Sequence, residues 1–150
     1  MGSVGLPAEP QFLREGNYRI SGGESAMAEL LQLPARPTAI IAANDLTAIG
    51  ALRVIHKRGL SVPGDISIVG FDDIELSDIV YPPLTTLRLS RHELAKTFVN
   101  ALEMLASSPR RNGKQYKVQT SLVIRESTGP AKKKVASSRP AAKRKASSGR

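Results

Sequence analysis

Three short apolar runs, TAIIAA (38–43), ISIVGF (66–71) and LTTLRL (84–89), recur along the chain with room for a helix or a loop between them. Runs of about five or six residues with no polar face suit strands covered on both sides, as in parallel sheets. Between the first two, NDLTAIGALRVIHKRG (44–59) places Leu46, Ile49, Leu52 and Ile55 at helical intervals, with Asn44 or Asp45 as cap and Gly59 as stop. SGGESAMAELLQLP (21–34) predicts another helix, opened by the capping-box spacing of Ser21 and Glu24 and stopped by Pro34. Ser90 and Glu93 repeat that spacing before a helix to about Ser107, with Leu94, Phe98, Ala101, Leu102 and Leu105 on one face. YKVQTSLVIRE (116–126) alternates as an edge strand does, with Tyr116, Val118, Thr120, Leu122 and Ile124 sharing a face. Strands alternating with amphipathic helices pair in parallel through right-handed crossovers. The expected fold class is α/β, an open, mostly parallel sheet with helices on both faces.

The 150 residues suit one domain, and the net charge of +9 is unevenly spread over them. Residues 131–150 hold 8 of the 22 basic residues and no acid, leaving 14 basic against 13 acidic in the body. That tail has a single sizeable apolar residue, Val135, so it is expected to be disordered. The chain has no cysteine, which excludes disulfides and thiolate metal sites. No apolar run approaches the roughly 18 residues a membrane span needs, and MGSVGLPAEP lacks the charged and apolar regions of a secretory signal. Leu6 stands where a myristoylation signal requires Ser or Thr. The expectation is a cytoplasmic protein without a membrane partner.

Asn44 and Asp45 end the first parallel strand, and Asp72 and Asp73 end the second. Open α/β sheets bind ligands in the crevice beyond those carboxyl ends. Asn and Asp at such places also serve as helix caps and turn formers, and Asn44, Asp45 and Asp73 are open to that reading. Asp72 is freer, because Asp73 is at hand to cap. Catalysis has little support: Asp72, Asp73 and Glu75 offer too few oxygen ligands for a cation, and His56 and His92 have no relay partner nearby. No G-x-S-x-G, Walker A or G-x-G-x-x-G motif occurs. No enzyme activity, catalytic residue, metal or cofactor is expected.

The motifs P-T-A-I, A-N-D, A-x-G-A, G-x-x-V-P-x-D-I-S, G-F-D-D and P-P-L-T-T, in this order within residues 36–88, closely resemble the effector-binding domain of LacI/GalR-type transcriptional repressors. The likeness continues more weakly over about residues 15–128. It implies one lobe of a periplasmic-binding-protein-like module, in which two α/β lobes close on a small sugar or purine-like effector. By motif position, Asn44 and Asp72 look like the polar effector contacts and Tyr18 like the aromatic lying against it. An aromatic face covering a sugar or base beside a carboxylate and an amide is sound recognition chemistry. The resemblance also implies a homodimer, with Ile49, Leu52 and Tyr81 as interface candidates, although an interior position is equally open for each.

Against that family pattern, neither a helix-turn-helix head nor a first lobe is legible. The expected organisation is an irregular remnant over 1–14, the C-terminal lobe over 15–129 and the basic tail over 130–150. Sequence-specific DNA binding would need the missing head, whereas Lys132, Lys133, Lys134, Lys143, Arg144 and Lys145 could hold phosphates nonspecifically. The reading is a truncated sensor domain of such a regulator. A periplasmic-type sugar-binding protein is the alternative, and an enzyme using the acidic cluster is a weak third.

Overall fold

A computed structural model of the chain describes residues 9–107 and 114–131. The basic tail from Lys132 onward and the first eight residues lie outside them. In chain order the elements are α1 (Ile20–Leu30), β1 (Ala39–Ile41), α2 (Asp45–Lys57), β2 (Ser67–Phe71), the short α3 (Leu76–Ile79), β3 (Thr85–Leu89), α4 (Arg91–Ser107) and β4 (Thr120–Val123). The sheet runs in the order β1-β2-β3-β4. β1, β2 and β3 are parallel, with Ile41 opposite Val69 and Val69 opposite Thr85, while β4 closes the far edge antiparallel.

α2 forms where expected, capped by Asn44 and stopped at Gly59, whose φ of 70° is the left-handed turn that glycine adopts without strain. Its face of Ala48, Leu52, Val54 and Ile55 joins Met27 and Leu30 of α1 and Ile68 of β2 in the core. α1 departs from the capping-box expectation: the helix starts at Ile20, so Ser21 lies within it, and the Arg19 N–H is met by Asn17 Oδ1. β1 departs too. Ile41 is 70% exposed rather than covered on both faces, because β1 is an edge of the described sheet. Leu122 in β4 and Ile124 just beyond it are exposed; Arg125 and Ser127 further on turn inward, to a half-buried and a buried polar contact. α4 buries none of its residues, and Phe98, Leu102 and Leu105 of its apolar face stay exposed.

Ser127 completes the middle of the sheet. Its N–H donates to the Pro83 carbonyl, its carbonyl accepts from the Ile68 N–H, its hydroxyl donates to the Ile68 carbonyl, and that hydroxyl accepts from the Thr85 N–H. β2 and β3 are thereby tied together below the point where their own ladder begins at Val69 and Thr85.

α1 and α2 touch through backbone. A Cβ on Gly50 would overlap the Ile20 carbonyl oxygen and crowd the Glu24 amide nitrogen. Alanine in an exposed helix interior ordinarily gains about 1 kcal/mol over glycine. Here the sign reverses: Gly50→Ala is expected to cost about 1–3 kcal/mol by forcing the helices apart. A urea midpoint at or above that of the parent chain would refute the close approach.

Candidate functional site

Ile41 is opposite Val69 in the last pair between β1 and β2, so Asn44 and Asp72, each three residues further on, come level by register on the carboxyl rim, although β2 itself stays paired with β3 as far as Phe71. Asn44 both caps and clasps. Its Oδ1 accepts from the Thr47 N–H at 3.0 Å, and its Nδ2 donates to the Tyr18 carbonyl at 3.0 Å. The amide keeps one N–H and one lone pair for a further partner. The clasp holds Tyr18 at a φ of 57°, with its ring side chain outward and the residue 67% exposed.

Asp72 is exposed, and its carboxylate has no hydrogen-bond partner among the described residues. Its N–H donates to the Leu87 carbonyl at 2.9 Å, which fixes the turn. Partial burial of the carboxyl raises its pKa above the ordinary 3.8, the Asp45 carboxylate adds to the rise, and Arg91 opposes it. The fold therefore holds this charge against its preference. Tyr18, Asp72 and Asp73 are the non-glycine residues of positive φ among those described, at 57°, 112° and 54°. Such conformations cost on the order of 1–3 kcal/mol each and gather where a chain serves a ligand.

The neighbouring carboxylates have other work. Asp45 is completely buried: Oδ2 accepts from the Ile74 N–H (2.9 Å) and the Ser77 hydroxyl (2.6 Å), and Oδ1 accepts from the Thr86 hydroxyl (2.6 Å). It does not cap α2 with its side chain, which is Asn44's role; it ties that helix start to β3, α3 and the loop after Asp73. Asp73 likewise is not a cap. Its two oxygens accept from Arg88 Nε and Arg125 Nη2, and Arg125 also reaches Asp78 at 3.1 Å and the Leu84 carbonyl at 2.9 Å. These roles escaped the sequence reading, since every partner lies at least fifteen residues from its carboxylate.

Burial alone would raise the Asp73 pKa, but the hydrogen bonds and charges of Arg88 and Arg125 outweigh it and hold the carboxyl below its ordinary value. A carboxylate with a depressed native pKa adds stability above its unfolded value, about 3.9, and loses it as pH falls through the native one. The unfolding midpoint is expected to fall below about pH 4, and to fall less steeply in Asp73→Asn. Equal slopes in both chains would show that Asp73 carries none of the acid sensitivity.

Of the residues marked as interface candidates, Ile49 and Leu52 are 7% and 3% exposed. They are interior, because α2 buries that face, and they leave a second copy little to cover. Tyr81 is 83% exposed. Among the described residues no three His, Asp or Glu side chains are grouped to hold a metal ion, and no helix is long and apolar enough to cross a membrane. A cleft of about 830 Å³ lies beside β1; Tyr18 lines it, whereas Asn44 and Asp72 do not. The rim and the cleft are therefore separate features that share one tyrosine.

The model of the periplasmic binding protein-like domain matches residues 1–128. The chain is 41% identical over 92 residues to the HTH-type transcriptional repressor CytR of Escherichia coli K12, covering 61% of this chain and 27% of that protein. It is 36% identical over 122 residues to the ribose operon repressor of Haemophilus influenzae, covering 81% of this chain and 37% of the other. A crystal structure of a LacI family transcriptional regulator from Enterococcus faecium with bound ribose aligns at a TM-score of 0.65 and 32% identity, over 78% of this chain and 43% of that one. The chain thus spans 27% and 37% of the length of these two curated relatives. With the domain model matched over 128 of its 150 residues, the chain belongs to the periplasmic binding protein-like domain family, in the form carried by LacI-type transcriptional repressors.

Proposed function

We propose that the chain is part of the sensor domain of a LacI-type transcriptional regulator, a binding module without catalysis that acts in the cytoplasm. Residues 15–129 form the lobe, and the effector is a small sugar or purine-like molecule held by Asn44, Asp72 and Tyr18. One observation carries the reading. An unpartnered carboxylate and a half-engaged amide end level on the rim, with an exposed aromatic ring clasped to the amide through its backbone. Carboxylate and amide together suit adjacent hydroxyls or ring nitrogens, and the ring offers an apolar face. The ribose bound to the Enterococcus faecium regulator agrees with the sugar class. Tyr81, exposed beside Pro82, is the remaining candidate for a dimer contact. Binding of operator DNA belongs to the longer regulators, through a head that the described residues, 9–107 and 114–131, do not form.

The test is a titration of isotope-labelled chain with pentoses, hexoses and purine bases, followed by NMR. Small-molecule sites bury about 70–90% of their ligand, and a single lobe leaves much of it in water. Binding is expected in the millimolar range, about −4 kcal/mol, with shifts at Tyr18, Asn44 and Asp72 that Asp72→Ala abolishes. Shifts confined to other residues, or undiminished binding by Asp72→Ala, would overturn the assignment.

A further inference from the structure

We propose that the amino end of the lobe, opposite the rim, binds the phosphate backbone of duplex DNA without sequence choice, through Arg36, Lys57, Arg58 and the basic stretch that begins at Lys132. The contact goes beyond the effector reading and does not depend on it. Three pieces of chain bring these cations to one end. Arg36 stands three residues before β1, and the Thr38 carbonyl between them accepts from the Ser67 N–H at 2.9 Å, beside the start of β2. α2 runs back from the rim and delivers Lys57 and Arg58 to the turn over residues 61–65 that leads into β2. Gly129 packs on Pro63 of that turn and donates its N–H to the Ser67 hydroxyl at 3.2 Å, and Lys132, Lys133 and Lys134 follow it in the sequence.

The charge of that end is the second ground. Arg36, Lys57 and Arg58 are exposed and make no ion pair among the described residues, whereas Arg14, Arg53, Arg88 and Arg125 each meet a carboxylate. The acids nearby are occupied or set apart. Glu29 pairs with Arg14, Asp65 accepts from the Ser61 N–H and hydroxyl, and Glu126 stands across the sheet, where its N–H meets the Pro83 carbonyl before β3. Cations at the end of α2 complement its dipole, but that accounts neither for Arg36 nor for 8 basic residues without an acid over 131–150. The unpartnered carboxylate of Asp72 lies at the opposite end, so the lobe is polar in charge along its strands.

The partner follows from what this surface holds and what it lacks. Many exposed cations gain most from a polyanion, whose phosphates release bound counterions as they are neutralised. Residues 131–150 contain no Phe, Tyr or Trp, so the stretch offers no platform on which the bases of a single strand could stack. Val135 is its single sizeable apolar residue, too little to sink into a lipid surface. The curated relatives are transcriptional repressors, which makes duplex DNA the polyanion at hand. With no helix or strand to read base edges, the contact is to phosphate and carries no sequence choice.

The probe is a fluorescent DNA duplex of mixed sequence, titrated with the full chain and followed by anisotropy. Affinity is expected to fall about 100-fold between about 50 and 200 mM salt, and to be alike for duplexes of different sequence. Arg36→Gln, Lys57→Gln and Arg58→Gln together remove three cations. They are expected to weaken binding about tenfold at the lower salt and to flatten the slope of log K against log salt by about 2–3. Lys132→Gln, Lys133→Gln and Lys134→Gln together should act alike, and they carry the test should the first variant fail to fold. The first variant is expected to keep the unfolding midpoint of the parent and its sugar-induced NMR shifts at Tyr18, Asn44 and Asp72, which separates this contact from the effector site. Absence of duplex binding by the parent, or undiminished binding by the first variant, would overturn the proposal. So would a marked preference among duplexes, or tighter binding to vesicles of phosphatidylglycerol and phosphatidylcholine than to duplex at equal phosphate.

Discussion

Asp45→Ala is expected to lower the free energy of unfolding by about 3–6 kcal/mol, enough to leave much of the chain unfolded at room temperature. Three donors converge on the two oxygens of this buried carboxylate: the Ile74 N–H and the hydroxyls of Ser77 and Thr86. Each donor left buried without an acceptor costs about 1–3 kcal/mol, against a total near 5–15 for a domain. Asp45→Asn keeps one acceptor oxygen but turns an N–H₂ group toward donors, so it should fall between Asp45→Ala and the parent. Ser77→Ala and Thr86→Val should each cost about 1 kcal/mol alone and less in the Asp45→Ala background, since they share a partner. Urea unfolding followed by circular dichroism measures all four. A loss of under about 1 kcal/mol for Asp45→Ala would mean that these bonds are replaceable by water. The consequence for the site is direct, because the Ile74 N–H that Asp45 holds closes the turn bearing Asp72.

Arg125→Met should cost about 2–4 kcal/mol. The guanidinium is 15% exposed and meets Asp73, Asp78 and the Leu84 carbonyl. Removing it strands the Asp73 carboxylate, itself 8% exposed, with only the more solvated Arg88. Removing one partner of a buried pair costs more than the pair contributes, because the other charge stays buried. Asp73→Asn introduced into Arg125→Met should therefore recover about half of the loss, and a double-mutant cycle reads this out. Strictly additive losses would show that the two side chains do not depend on each other.

Local patterns in the sequence carried α2, its cap at Asn44 or Asp45, its Gly59 stop, the three parallel strands and the shared rim at the ends of β1 and β2. All of these rest on contacts within a few residues or on periodicity. The same patterns misplaced the start of α1, because Ser21 and Glu24 have capping spacing while the helix begins at Ile20 with no side-chain cap and Asn17 accepts only from the Arg19 N–H. They also gave alternation in 116–126 without saying which face turns inward. Arg125 and Ser127 point in to meet Asp73, Leu84, Ile68 and Thr85, partners at least forty residues away that no local pattern reveals. Asp45 read as a cap for the same reason: a carboxylate after a strand looks alike in sequence whether it serves its own helix or three distant elements. The positive φ values at Tyr18, Asp72 and Asp73 were likewise beyond reach, since no glycine marks them.

The stitch that Ser127 makes between β2 and β3 sets an order on synthesis. A nascent chain still lacking that serine outside the ribosome can wind α1 and α2 and lay down β1, yet the seam at Ile68 and Thr85 stays open. Closure of that seam therefore waits on residue 127, beyond the end of β4.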